Sequence, residues 1–315
     1  MNRMAHEWAR DRGGVSSSAA ATGPGAIPDT AGGLLSWAKA ALTEAGIANA
    51  ENEAVWLLES SLDVNRLELM VHRARRVPEE ERTRTVTLIR RRAAREPLQY
   101  LLGTQEFCGL EFEVGPAALI PRPETELLVQ TILGCPLPSD RPLIADMGTG
   151  SGCIAVALAQ ALPGATVYAI DRSRTALDLA RRNAARHGVT ARVVLLEGDL
   201  CEPLRDAGLE GALSAMVSNP PYIPDGELFG LQPEVSRYEP RLALAGGADG
   251  LGVVRRLIAG AAGFLLPSGI LALEVGQGQA PAVRRFALEQ GDFEHVQTRL
   301  DDQGIERAVC LKRKG

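Results

Sequence analysis

Residues 143–162 read LIADMGTGSGCIAVALAQAL. The opening run, LIADM, is short and apolar and stops at turn residues, so it reads as a buried strand. The closing run, CIAVALAQAL, has helical length and no breaker. Between them stands DMGTGSG, Asp146 to Gly152, with Gly148, Gly150 and Gly152 around Thr149 and Ser151. Glycines there let the backbone turn sharply and pass close to a ligand. The N-terminus of the following helix is expected to offer free N–H groups. A glycine turn after the first strand of an α/β sheet predicts a nucleotide-type ligand at the carboxyl ends of the strands.

The chain beyond residue 140 repeats the same alternation. TVYAI is a strand and RTALDLARRNAARHG a helix; RVVLLEG and AMVSN are strands, GVVRRLIAGAAGFL a helix and GILALEV a strand. A helix from Ala280 and strands in FEHVQTRL and RAVCLKR close the chain. The pattern predicts an α/β fold with a mostly parallel sheet covered by helices on both faces. Acids recur at the same edge of that sheet. Asp171 ends the second strand in YAID, and Asp199 ends the third in EGDL, with Leu200 after it. An acid ~20 residues after the glycines suits ribose hydroxyls. An acid one strand later suits an adenine amino group.

The dinucleotide pattern GxGxxG/A fits imperfectly, because its third glycine slot is Cys153. A P-loop is excluded, since no GK[ST] follows. No lysine or arginine lies between Asp146 and Ile154 to neutralise a phosphate. An adenosine ligand without pyrophosphate fits better, which favours the sulfonium cofactor S-adenosylmethionine over ATP or NAD. At this point the sequence resembles the class I methyltransferases, which implies a Rossmann-like catalytic domain.

The fourth strand ends in SNPPYIP, Ser218 to Pro224. Proline has no N–H, so Pro220 and Pro221 present carbonyl oxygens and no donors. Asn219 adds a side-chain carbonyl and Tyr222 an aromatic face. A stiff, acceptor-rich turn of this kind suits a planar NH2 group. The motif resembles that of methyltransferases acting on adenine N6, cytosine N4 or the glutamine side-chain amide. Asn219, Pro220 and Tyr222 are the candidate catalytic residues, and Asn219 to Tyr222 the candidate substrate motif.

The N-terminal third differs in character. Residues 1–33 include a small, polar, Gly/Pro-rich stretch and are expected to be a disordered tail without a secretory signal. Residues 34–102 carry helical periodicity and predict a bundle of four or five helices. Arg90, Arg91, Arg92 and Arg95 there read as a solvated helix face or as a partner-docking surface. Residues 103–120, with TQEFCGLEFEVG, predict a β-hairpin linker to a catalytic domain over 121–315. Arg122 and Glu124 to Glu126 in LIPRPETE fit a pocket mouth or a proline-led helix start equally.

Composition narrows the partners. The 315 residues are 45% hydrophobic and carry a net charge of -5. That balance does not favour direct nucleic-acid binding. No apolar run reaches the roughly 20 residues that cross a bilayer. Five scattered cysteines without CxxC pairs and four scattered histidines predict reduced thiols, a cytoplasmic setting and no metal site.

PLQYLLG, the EF that follows, LIPRPETE, DMGTGSG, SNPPYIP and YEPRLALAGGADGL occur in that order between Pro97 and Leu251. Together they resemble the peptide chain release factor N5-glutamine methyltransferases, over about Leu34 to Gly315. The resemblance implies methylation of the glutamine in the GGQ loop of bacterial class 1 release factors. It also implies a helical domain that helps hold the factor. It carries cofactor contacts onto Asp146, Gly148 to Gly152, Asp171, Asp199, Leu200 and Asn219. Leu200 is a departure, since some members have an aromatic residue there. Three alternatives stay open: a ribosomal protein glutamine methyltransferase, a DNA or RNA adenine methyltransferase, and a non-catalytic cofactor-sensing module.

Overall fold

The computed structural model describes residues 26–315. The chain divides into two compact units, one ending at Ala94 and one spanning Arg95–Gly315. Most of the expected tail lies outside the described residues. Where it enters them, it is already structured: α1 (Ala31–Glu44) begins before Leu34. The Thr30 hydroxyl accepts from the Gly33 N–H and so satisfies one free donor of the first turn.

The first unit holds α1, α2 (Ala50–Leu62), α3 (Arg66–Val71) and α4 (Glu79–Ala93). Leu34 and Leu42 of α1, Leu57 and Leu58 of α2, and Ile89 of α4 are all fully buried. Asn65 and Glu68 form a reciprocal capping box at α3. The arginine cluster at the end of α4 is not one solvated face. Arg90 and Arg91 are exposed, but Arg92 is buried and its Nε bonds Glu53 at 2.5 Å. Arg95 belongs to the second unit and bonds Glu234 at 2.8 Å.

The second unit opens with α5 (Leu98–Leu102), which the sequence placed in the helical domain. The hairpin of β1 (Thr104–Phe107) and β2 (Leu110–Glu113) follows. Its turn residues, Cys108 and Gly109, both have positive φ, as a two-residue turn matching strand twist requires. Next come α6 (Glu126–Gly134), β3 (Leu143–Met147), α7 (Cys153–Ala161), β4 (Thr166–Asp171), α8 (Arg174–Arg186), β5 (Val193–Glu197), α9 (Glu202–Asp206) and β6 (Leu213–Ser218). The chain ends with α10 (Pro233–Tyr238), α11 (Gly252–Ala261), β7 (Leu265–Glu274), α12 (Ala280–Glu289), β8 (Phe293–Leu300) and β9 (Glu306–Arg313).

Seven strands form one sheet in the order β5-β4-β3-β6-β7-β9-β8. The first five are parallel; β9 runs antiparallel to both β7 and β8. Alternate residues feed opposite faces, as strand geometry dictates. Ile144, Val217, Ile270 and Ala272 join α6 and α7 in one core; Ala145, Met216, Leu271 and Leu273 join α11 and α12 in the other. The strand order reverses between β3 and β6, so a crevice opens at their carboxyl ends.

Candidate active site

The crevice is a cavity of about 230 Å³. Its wall includes Gly148 to Ser151, Asp171, Asp199, Leu200 and the turn Asn219 to Pro221. Gly148, Gly150 and Gly152 all have positive φ, which the tight turn demands. The first two have room around them, but a Cβ on Gly152 would stand 2.9 Å from that of Ala180. The last glycine therefore serves the packing of α7 on α8.

The loop amides are mostly spent inside the protein. Gly148 and Thr149 N–H both donate to the Ile170 carbonyl at 2.8 Å, and Gly152 N–H donates to that of Thr149. Gly150 N–H donates to Asp171 Oδ2 at 2.9 Å. Asp171 Oδ1 accepts from Ser173 N–H at 2.8 Å, and burial pushes its carboxyl pKa upward. The expected free N–H groups at the start of α7 are also partly taken: Ala155 N–H donates to Asp146 Oδ2 at 3.1 Å. The loop is consequently not a phosphate cradle, in keeping with its lack of cationic side chains.

Asp146 is fully buried and absent from the cavity wall. Its Oδ2 also accepts from the Thr149 hydroxyl at 2.6 Å, while Oδ1 has no partner among the described residues. Desolvation pushes this carboxyl up to about 7. Asp146 thus shapes the loop from beneath. Asp199 is half-buried on the cavity wall and pairs with Arg256 at 2.6 Å. Leu200 is held at φ 50, an unusual conformation for a bulky residue, and lines the cavity.

β6 delivers the second motif. Ser218 Oγ donates to the Met147 carbonyl at 2.6 Å, fixing the end of β6 against the end of β3. Asn219 Nδ2 donates to Thr125 Oγ1 at 3.0 Å. Thr125 Oγ1 in turn donates to Glu274 Oε2 at 2.7 Å. Tyr222 does not line the cavity; its hydroxyl donates to Glu274 Oε1 at 3.3 Å. Gln279 Nε2 caps the Tyr222 carbonyl at 2.9 Å. Glu274, the last residue of β7, is 2% exposed, and desolvation pushes it up to about 7.

The segment before α6 forms the neighbouring wall. Pro123–Thr125 is a single 3-10 turn, so Glu124 and Glu126 belong to a helix start. Glu126 Oε1 accepts from Cys108 N–H at 2.8 Å and ties that start to the hairpin. Arg122 does line the cavity and pairs with buried Glu239, whose other oxygen accepts from Ile120 N–H. Asn183 of α8 locks the hairpin to the loop: Nδ2 donates to the carbonyls of Glu113 and Ser151, and Oδ1 accepts from Glu113 N–H.

Sequence reasoning missed Glu239 and Glu274 as parts of the site, and reached Thr125 only within the Glu124 to Glu126 stretch at a pocket mouth, where it does line the cavity. Glu274 carried a signal, since an acid closing the apolar strand GILALE stands at the same edge as Asp146 and Asp171. The bond between Thr125 and Asn219 carried none, because only the fold brings the two together.

The family described as "PrmC N-terminal domain" matches residues 33–103, and "Methyltransferase small domain" matches 123–229. The chain is 47% identical to "Release factor glutamine methyltransferase" of Geobacter sulfurreducens, over 88% of this chain and 94% of that protein. It is 45% identical to the protein of the same name from Moorella thermoacetica, over 87% and 95%. A solved protein-(glutamine-N5) methyltransferase (release factor-specific) from Alicyclobacillus acidocaldarius is 33% identical, with a TM-score of 0.38, over 65% of this chain and 100% of that one. Sequence identity of this extent across both units makes the chain a member of the release factor glutamine methyltransferase family.

Proposed function

We propose that the chain transfers a methyl group from S-adenosylmethionine to the side-chain amide nitrogen of the glutamine in the GGQ motif of class 1 peptide chain release factors. The observation that carries this reading is the opening of Asn219, Pro220 and Pro221 into the same cavity as the glycine loop and Asp171. The cavity chemistry fits the cofactor. Its loop amides are committed internally and no cation lies in the loop, so an uncharged adenosyl group suits it better than a pyrophosphate. Asp171 keeps unused lone pairs for ribose hydroxyls, and Asp199 and Leu200 line the cavity one strand on, for the adenine edge.

When bound, the cofactor supplies an electrophilic sulfonium methyl. The chain's own residues orient the weak nucleophile. Asn219 Oδ1 and the Pro220 carbonyl accept the two N–H bonds of the substrate amide and turn its nitrogen lone pair toward the methyl. The same acceptors stabilise the positive charge that grows on that nitrogen, because they are fixed before the reaction begins. An N-protonated amide is strongly acidic, so solvent suffices to take its proton. The helical first unit would hold the body of the release factor. Among the described residues no helix is long and apolar enough to cross a membrane.

The test is transfer of labelled methyl from S-adenosylmethionine to purified release factor, beside a version whose GGQ glutamine is alanine. Label on the intact factor alone is expected. Label on a ribosomal protein or on DNA instead would keep the amide chemistry and overturn the substrate.

A further inference from the structure

We propose that Glu274 and Thr125 are positioning residues that fix the Asn219 amide with its oxygen toward the acceptor nitrogen. The proposal rests on the amide-methylation reading above and adds the question of how Asn219 is held. An asparagine amide has two ends of nearly equal shape and opposite hydrogen-bonding character. Turned one way, Asn219 offers Oδ1 to a substrate NH2. Turned the other way, it meets that NH2 with donors of its own.

The hydrogen bonds that run from Asn219 to Thr125 on the cavity wall, and from there to Glu274 behind it, decide between the two. When ionised, the Glu274 carboxylate only accepts, so Thr125 then spends its hydroxyl proton on Oε2, at 2.7 Å. Its oxygen can then only accept, and the group facing it at 3.0 Å must be the Asn219 NH2. Oδ1 is left at the other end of the amide. Tyr222 applies the same constraint from the motif's far side by donating to Glu274 Oε1. Thr125 and Glu274 are each 2% exposed, so water does not scramble the chain of bonds.

The charges around Glu274 are few. Glu124 of the 3-10 turn raises its pKa and Arg307 of β9 lowers it, while Tyr222 and Thr125 hydrogen-bond it. Protonated on Oε2, Glu274 would become a donor to Thr125 and release the Asn219 end of the relay.

The experiment uses the full-length protein, 15N-labelled at asparagine, with the Asn219 side-chain signal assigned by its loss in Asn219→Ser. That signal is expected to move in Thr125→Val and in Glu274→Gln and to stay in place in Thr125→Ser. In parallel, Thr125→Val should lose kcat by about 30-fold or more while its Kd for S-adenosylhomocysteine changes less than about threefold. Thr125→Ser should recover most of that rate, which a purely volume-filling role would not predict. An unmoved Asn219 signal in Thr125→Val overturns the relay, as does a kcat within about twofold of wild type. If Thr125→Val does not fold, Glu274→Gln decides on the same two readouts. Absence of methyl transfer to release factor by the wild type, with the Asn219 signal still answering to Thr125, sinks the substrate reading and upholds the relay.

Discussion

Asn219 and Asp146 occupy the ends of neighbouring strands, yet they are built for different work. Asn219 opens on the cavity, so Asn219→Ala should lower kcat by about 100-fold or more. Cofactor affinity should stay within about threefold, because the loop and Asp171 are untouched. Calorimetric binding beside single-turnover rates would check the split, and loss of cofactor binding alone would contradict the role. Asp146 lies beneath the loop with its carboxyl raised to about 7. Between its unfolded value of about 4 and that folded value, the native state binds more protons than the unfolded one. Its contribution to stability therefore falls as pH rises through that window. Asp146→Asn keeps an acceptor for Thr149 and Ala155 without the buried charge. The variant's Tm advantage over wild type should grow from pH 4 to pH 7, and a constant offset would show that Asp146 is not the titrating group. Sequence made both residues conspicuous as polar groups ending apolar strands. It did not separate a ligand-facing group from a loop-bracing one, because that depends on which way the carboxylate turns. The bond between Thr125 and Glu274 was hidden for a related reason: the two are 149 positions apart, and they meet only once β7 and the turn before α6 are side by side.

The glycine loop and the helix behind it act as one element. Gly152 sits at φ 80 with the Cα of Ala180 3.1 Å from where its Cβ would be. Gly152→Ala therefore combines left-handed strain with a clash against α8 backbone, and should cost about 2–3 kcal/mol. Gly148→Ala meets only the strain, having open space around it, and should cost about 1 kcal/mol. Chemical denaturation of the two variants would rank them, and equal losses would mean that α7 and α8 can part without penalty. The helix and strand periods were legible along this stretch, since apolar spacing is a local property. Element ends were less so. α1 starts at Ala31 because Thr30 caps it, although GG precedes its first leucines. Arg92 is inside because Glu53 of α2 meets it, and a run of arginines gives no hint which one will find an acid.

At the scale of the whole molecule, strand count was readable but strand order was not. Parallel pairing joins residues far apart in sequence, and nothing local states that β6 lies beside β3 or that β9 inserts between β7 and β8. The division of the chain follows from where packing closes. α5 and the hairpin belong with the sheet, because Phe107 and Phe112 are buried in its core. The cut that respects this lies after Ala94, with α5 and the Gly103 turn left in the catalytic unit. A chain of residues 95–315 should unfold cooperatively and retain S-adenosylmethionine binding, since the glycine loop, Asp171 and the Asn219 turn all lie within it. If the helical unit docks the release factor, the two chains should differ only toward intact substrate. Binding energy from a remote surface lowers KM without entering the chemical step. The shortened chain should then show KM for intact release factor raised about tenfold or more, with kcat at saturation and KM for a short GGQ-containing peptide unchanged. An unchanged KM for the intact factor in a cooperatively folded 95–315 chain would remove the docking role from the helices and leave recognition to the rim of the cavity itself.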